Sequence, residues 1–313
     1  MNSFKPEIDV LLATWNGSRF LEEQLDSLLG QTFQNFRLLI RDDRSTDSTL
    51  QIVEEYRSRY SDRIFVRKNL DRQGACHTFS LLMEESTAPY VAFCDQDDIW
   101  RSDKLAISLS AMKESESRHG SDVPVLVFSD MEIVDESRQV IAPSLWRQSH
   151  VHPERATLGA MLVQNLVTGC TALANRSLLL NGCPVPEAAS MHDSWLGLVA
   201  AAFGILHPIH EATVQYRQHG GNAVGAGRGW RGGNIVQRLR RDQFFKNRIE
   251  ASRRQSAAFA RRYTQVLSAE QKEVLEAWST SQRLPAFVRH WTLHRSGLRG
   301  TSFLNHVGFL VRV

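Results

Sequence analysis

The run Asp95-Gln96-Asp97-Asp98 sets three carboxylates within four residues, directly after the apolar segment Tyr90 to Cys94. Carboxylates this close repel one another unless a cation or several hydrogen-bond donors offset their charge. A hard divalent ion suits such a cluster, because Mg2+ or Mn2+ takes oxygen ligands from one or two carboxylates and completes its shell with substrate phosphates. On this reading Asp97 is the metal ligand, Asp95 lies nearer a ribose and Asp98 assists. The competing reading is an acidic N-cap cluster for a helix beginning near Trp100. A second acidic tip, Asp42-Asp43, follows the apolar segment Phe36 to Ile40 and leads into Arg44-Ser45-Thr46-Asp47. One carboxylate there can accept from a nucleobase imide or a ribose hydroxyl while others, Asp47 among them, cap a helix.

Both tips need a scaffold, and the surrounding pattern supplies one. The apolar run Ile8 to Ala13 predicts a buried strand that ends at the polar turn Thr14-Trp15-Asn16-Gly17. Helical spacing of Phe20, Leu21, Leu25, Leu28 and Leu29 predicts a helix closed by Gly30. Strands at Phe36 to Ile40, Ile64 to Val66 and Tyr90 to Cys94 alternate with helices reaching about Tyr60 and Glu84. This alternation predicts an α/β fold with a mostly parallel central sheet and helices on both faces, whose ligands sit outside the carboxyl ends of the strands. The acidic tips fall at those ends. Past Lys104 the pattern is mixed, with a helix to about Lys113 and strands near Val125 to Phe128 and Glu132 to Val134. A catalytic domain over 1–222 is expected, with a donor-binding half over about 1–104 and an acceptor half over about 105–222. The glycine-rich stretch Gly220 to Gly233 reads as a linker, and 223–313 as that linker followed by a basic helical tail.

Composition narrows the class without naming a reaction. A hydrophobic share of 42% and a charged share of 23% are ordinary for a globular chain, and a net charge of +3 gives no ground for a nucleic-acid partner. Cys76, Cys94, Cys170 and Cys183 form no C-x-x-C pair and are expected to be free thiols, mostly in the core. The longest apolar run, Leu196 to Leu206, is too short to span a bilayer. MNSFKPEIDV lacks the features of a signal peptide, so a cytoplasmic location is expected. No G-x-G-x-x-G follows the first strand, which argues against a dinucleotide oxidoreductase. ATWNGSRF also lacks the glycine-rich basic loop of a sugar-phosphate nucleotidyltransferase, which stays as the enzyme alternative beside a non-catalytic sugar-nucleotide-binding protein.

ATWNG, DDRSTDST and FCDQDDIW, in that order, resemble the family-two glycosyltransferases with their GT-A fold. The D-Q-D-D-I-W form resembles bacterial rhamnosyltransferases of surface-polysaccharide synthesis. The resemblance covers roughly residues 7–222 and is strongest in the first hundred. It implies that Thr14, Asn16 and Asp42 hold the nucleoside, with Asp43 inseparable from Asp42, and that Asp95 and Asp97 bind ribose and metal-diphosphate. It also implies an inverting transfer whose base stands in an acidic pair before a helix of the second half. MHDSW offers Asp193 for that base, with His192 as orienting group, acceptor contact or helix cap. Asp193 as a plain N-cap is the competing reading. In Tyr216-Arg217-Gln218-His219-Gly220, Arg217 is expected to offset leaving-group charge and His219 to complete the metal shell. The implied donor is dTDP-L-rhamnose, and the acceptor a saccharide or polyprenyl-diphosphate-linked glycan.

Charge is distributed unevenly. Between Arg228 and Arg262 eleven lysines and arginines face only Asp242 and Glu250. With apolar residues interleaved, this segment is expected to meet an anionic surface at the inner face of the membrane, ahead of a nucleic acid, for which no binding motif is present.

Overall fold

The structure, a computed structural model, describes residues 5–220, 235–281 and 298; for residues 235–242, 244 and 245 the backbone alone is described. Strands β1 (Ile8–Thr14), β2 (Phe36–Asp42), β3 (Ile64–Lys68) and β4 (Tyr90–Cys94) alternate with helices α1 (Leu21–Leu29), α2 (Thr49–Arg59) and α3 (Ala75–Glu85). A two-residue strand β5 (Ile99–Trp100) precedes α4 (Lys104–His119), β6 (Val125–Val134) and β7 (Val140–Ala142). Short helices α5 (Leu145–Gln148) and α6 (Leu158–Val163), strand β8 (Ala172–Asn175) and α7 (Arg176–Gly182) follow. The chain continues through α8 (His192–Phe203) and β9 (Ile205–Arg217) to α9 (Ile235–Arg262) and α10 (Ala269–Thr280).

The strands form one sheet in the order β3-β2-β1-β4-β8-β6-β9-β5, with β7 paired to β6. β1 to β4 are mutually parallel, β8 runs against them, and β6 and β9 run parallel to each other. The sheet is therefore mostly parallel, as the β/α alternation predicts. Ile8, Val10, Leu12, Leu38 and Ile40 pack with α1, α2 and α4 residues on one face. On the other face Leu11, Leu39, Val91 and Phe93 pack with α3, α6, α8, α9 and α10 residues. Burial on both faces explains why β1, β2 and β4 read as continuous apolar runs rather than alternating ones.

Two expectations are corrected. The helix after the acidic run begins at Lys104, not near Trp100, because Ile99 and Trp100 pair with Gln215 and Val214 on the long strand β9. The expected strands at Val125 to Phe128 and Glu132 to Val134 are one strand, β6, whose polar middle holds a bulge against β9. There Ser129 Oγ meets Thr213 Oγ1 at 2.6 Å, and buried Asp130 accepts from the amides of Met131 at 2.8 Å and Trp146 at 3.2 Å. Satisfied hydrogen bonds let polar residues pass through a buried strand.

The tail shares a core with the catalytic half. Phe259, Leu275 and Trp278 are fully or almost fully buried in the same cluster as Trp195 and Leu198 of α8. Arg262, though exposed, donates to the carbonyls of Cys183 and Pro184, and half-buried Arg253 donates to Ser281 Oγ, so both are tied to the fold. The expected linker from residue 221, with Arg228 and Arg231, lies outside the described residues, as do the side chains of Arg238, Arg240 and Arg241. No helix among the described residues is long and apolar enough to cross a membrane.

Candidate active site

The carboxyl ends of β1, β2 and β4 bring three loops together. Trp15 N donates to Gln96 Oε1 at 2.7 Å and Trp15 O accepts from Gln96 Nε2 at 3.0 Å, so the acidic loop is clasped to the first loop by one amide. The clasp requires Gly17, where an added Cβ would stand 2.3 Å from Gln96 Oε1. Asn16, in the left-handed region at φ 47°, accepts from Thr46 N at 2.8 Å and donates its own amide to Ser45 Oγ at 2.9 Å.

Thr14, Asp42 and Asp43 stand beside one another but are already occupied. Buried Asp42 accepts from Thr14 Oγ1 at 2.9 Å and from Ser45 N and Oγ at 2.8 and 2.6 Å. Asp43 accepts from Asn69 Nδ2 at 2.8 Å and from the amides of Gln73 and Gly74 at 2.7 and 2.8 Å, holding the turn that enters α3. The two carboxylates that cannot be separated in sequence thus serve different loops. Beside them lies a wall that sequence reasoning missed: the Arg72 guanidinium lies 3.5 Å over the Trp15 ring, which is 41% exposed. Its signal was positional, since Arg72 follows β3 at the same edge of the sheet.

In the acidic loop the three carboxylates have separate surroundings. Asp98 is fully buried, accepts from Arg217 N at 3.2 Å and keeps Oδ2 without a hydrogen-bond partner. Burial, with Asp97 and Asp95 nearby, pushes its pKa well up. Burial followed by repulsion from Asp97 and Asp193 raises the pKa of Asp95 to about 7. Asp97 Oδ2 lies 2.7 Å from His219 Nε2. Cys170, read from sequence as a plain core thiol, stands with ligand atoms of Asp95 and Asp98 inside a 4.8 Å span.

A divalent ion fits this donor set. Two ligands on an ion with bonds near 2.0–2.1 Å lie about 3 Å apart, the separation that Asp97 and His219 already have. The Phe20 ring, 4.9 Å away, holds the imidazole in place. Neighbouring carboxylates supply negative charge that a cation relieves.

Arg217 is placed otherwise than its sequence reading. Only 1% exposed, it donates from Nε to Asp97 O at 3.0 Å, from NH1 to Glu136 O at 2.8 Å and from NH2 to Glu23 Oε2 at 2.9 Å, over the Phe20 ring. The guanidinium braces the acidic loop from behind rather than facing a leaving group. Glu23 carried no local signal, being 194 residues away in sequence.

Asp193 and His192 open α8 but diverge in role. Asp193 accepts from Gly169 N at 2.9 Å and Ser194 N at 2.6 Å. Burial raises its pKa to about 6, and its charge is felt by Asp95. His192 is 3% exposed, stacked on Phe79 at 4.0 Å, and burial lowers its pKa to about 3. It is a neutral packing residue, which departs from a part in orienting Asp193 or touching the acceptor.

The chain belongs to glycosyl transferase family 2, whose family model matches residues 9–179, more than half of the sequence. It is 26% identical over 220 residues to a putative teichuronic acid biosynthesis glycosyltransferase, TuaG of Bacillus subtilis, covering 69% of this chain and 81% of that one. It is 27% identical over 227 residues to the dTDP-rhamnosyl transferase RfbG of Shigella flexneri, covering 69% and 74%. Its fold matches S. aureus TarS solved with UDP at TM-score 0.56 and 17% identity, over 97% of this chain and 89% of that one. It also matches a Pyrobaculum calidifontis mannosyltransferase solved with GDP-Man and Mn2+ at TM-score 0.58 and 19% identity, over 94% and 74%. The protein is a GT-A glycosyltransferase with relatives in polysaccharide synthesis.

The crowding of carboxylates predicts a pH signature. Asp95 titrates near 3.8 when unfolded and about 7 when folded, so its contribution to stability is full below 3.8 and lost as pH rises through 7. In metal-free protein Asp95→Asn should gain stability relative to wild type as pH rises from 4 to 8, because the variant has no carboxylate to ionise. Denaturant unfolding at the two pH values reads this out, and a difference independent of pH would contradict it.

Proposed function

We propose that this chain transfers a sugar, with inversion, from a nucleotide diphosphate-sugar to a saccharide hydroxyl, using Asp193 as the base. The observation that carries the reading is Asp193 itself, a carboxylate whose pKa burial raises to about 6 and whose charge reaches Asp95 of the acidic loop. A base poised near neutral pH takes the proton of a hydroxyl as it attacks. In one displacement the acceptor oxygen bonds to the anomeric carbon, its proton passes to Asp193, and the bond to the diphosphate oxygen breaks with its electron pair. Asp97 and His219 would hold a divalent ion, which would supply positive charge for the departing diphosphate. The nitrogen ligand favours Mn2+ over Mg2+.

The nucleoside rests against the loops that Thr14, Asn16, Asp42 and Asp43 hold in shape, with the Trp15–Arg72 wall offering a flat surface to a base. Asp95 faces the ribose, and Asp98 with Arg217 keeps the loop in shape behind it. The likeness to RfbG and the D-Q-D-D-I-W run support dTDP-L-rhamnose as donor. Membership of the family removes the nucleotidyltransferase alternative.

Asp193→Asn should bind donor normally while transfer falls on the order of 10²-fold or more, and wild-type transfer should rise with pH to a plateau above about 6. The assay is a sugar-nucleotide screen with Mn2+, scored by product and by stereochemistry at the new linkage. Near-normal turnover of the variant moves the base elsewhere.

A lipid-linked acceptor places the enzyme at a membrane surface. Lys246, Arg254 and Arg261 are exposed on α9 and free to meet anionic headgroups, each contributing about 1 kcal/mol at low screening. Cosedimentation with phosphatidylglycerol vesicles should fall as salt rises and fall again on charge reversal of these three. Wild-type protein that ignores such vesicles at low salt removes this part of the reading.

A further inference from the structure

β8 runs antiparallel to β4, with Ala92 opposite Leu173. Continued past the strand ends, that register sets Cys170, in the three-residue turn Gly169–Thr171 that leads into β8, opposite Asp95 at the start of the acidic loop. The turn is tied on its other side to the proposed base, since Gly169 N donates to Asp193 Oδ2 at 2.9 Å. Strand pairing and this hydrogen bond together fix Cys170 between the acidic loop and the first turn of α8. Its sulfur stands with one oxygen each of Asp95 and Asp98 inside a 4.8 Å span, and among the described residues no other group of three histidine, cysteine or carboxylate side chains does so.

A second observation points to a ligand at this place. Asp98 is fully buried, yet only one of its oxygens has a donor: Oδ1 accepts from Arg217 N at 3.2 Å, and Oδ2 has no hydrogen-bond partner. A buried carboxylate oxygen left in that state is costly, and a bound ion removes the cost. The buried ammonium of Lys104 does not take that oxygen; it lies 4.0 Å over the Trp100 ring and makes no hydrogen bond. Two donor sets therefore share one loop. Asp97 and His219 join oxygen to nitrogen at the mouth, their side chains 15% and 14% exposed. Asp95, Asp98 and Cys170 join two oxygens to a sulfur deeper in, with Asp98 and Cys170 at 0% and 1% exposure and half-buried Asp95 at the entrance. Sulfur adds little for Mg2+ or Mn2+ but much for Zn2+ or Cd2+. With bonds near 2.0 Å to oxygen and 2.3 Å to sulfur, ligands of a tetrahedral shell stand about 3.5 Å apart, so side-chain shifts of about 1 Å close this group on an ion.

We propose that Asp95, Asp98 and Cys170 form a second metal site, distinct from the Asp97–His219 pair and selective for a thiophilic divalent ion of the Zn2+ class. The ion bonds to the Cys170 sulfur as the thiol proton leaves to solvent, with Asp95 and Asp98 as carboxylate ligands and a fourth position left for water. Occupancy draws Asp95 onto the ion and away from the ribose contact assigned to it above, so the site acts as a brake on transfer that tightens as Zn2+ rises. The brake rests on the proposed function; the binding does not.

The test titrates the full chain, reduced and free of oxygen, with Cd2+ and reads the ultraviolet charge-transfer band of a cadmium–thiolate bond. Wild type should develop the band, and Cys170→Ser should lose one thiolate's share of it. Any contribution from Cys76, Cys94 and Cys183 is common to both proteins and cancels in the difference. Calorimetry with Zn2+ should show binding at least about tenfold weaker in Cys170→Ser. Cys170→Ala repeats the comparison, and melting curves of the metal-free proteins confirm that folded chains are being compared. His219→Gln should keep the full band, because it removes a ligand of the other site only. A band missing from wild type, unchanged in both Cys170 variants, or lost in His219→Gln overturns the assignment. In the transfer assay Zn2+ should inhibit wild type about tenfold more potently than Cys170→Ser. Equal inhibition of the two overturns the brake, and the cadmium band is read apart from turnover, so failure of the proposed transfer is distinguishable from failure of the site.

Discussion

Three carboxylates gathered on one poorly hydrated loop are the constraint around which the rest of this molecule is arranged. Burial raises the proton affinity of Asp95 and Asp98, and the charge of Asp97 beside them adds to the effect. The fold answers with fixed positive and polar groups rather than with solvent. Arg217 enters from the last strand to hold the Asp97 carbonyl and, through its own amide, Asp98. Gln96 turns away from the acids to clasp the first loop. His219 meets Asp97 at the mouth. The residual repulsion is what makes a divalent cation and its bound diphosphate a favourable addition.

The same logic explains why the second half of the chain is needed. β9 delivers both Arg217 and His219 to the loop, and its long edge captures Ile99-Trp100 so that the acids cannot relax into a helix N-terminus. α8 carries Asp193, whose charge reaches Asp95, and α9 fastens α8 through Gln255 and Phe259. The C-terminal helices are therefore tied by direct contacts to the helix that opens with Asp193.

Periodicity made the sheet legible, because strands buried on both faces give apolar runs that end in polar tips, and tips at the carboxyl ends of parallel strands mark a ligand site. The acidic loop, His219 and Asp193 stand out in the sequence for the same reason: each is a chemically loaded residue at an element boundary. Duties set by distant partners do not. Arg217 reads as an anion binder until Glu23 is seen beneath it, and His192 as a helper of Asp193 until Phe79 and Phe93 enclose it. Asp42 and Asp43 look interchangeable in sequence, yet one ties to Thr14 and Ser45 and the other to the turn at Gly74. The basic segment reads as one charged face, whereas Arg253 and Arg262 hydrogen-bond Ser281 and the Pro184 carbonyl. These distinctions arise from contacts among residues up to nearly two hundred positions apart, which no local pattern encodes.

The central claim is that one divalent ion, held jointly by Asp97 and His219, relieves the acidic loop. Electron spin echo spectroscopy of the Mn2+-loaded chain with a nucleoside diphosphate bound tests it most directly, because a coordinated imidazole nitrogen modulates the manganese echo. The account predicts nitrogen modulation in wild type that disappears in His219→Gln, and weak or absent Mn2+ binding in Asp97→Asn. Tightly bound Mn2+ without nitrogen modulation, or equal binding by Asp97→Asn, would contradict it.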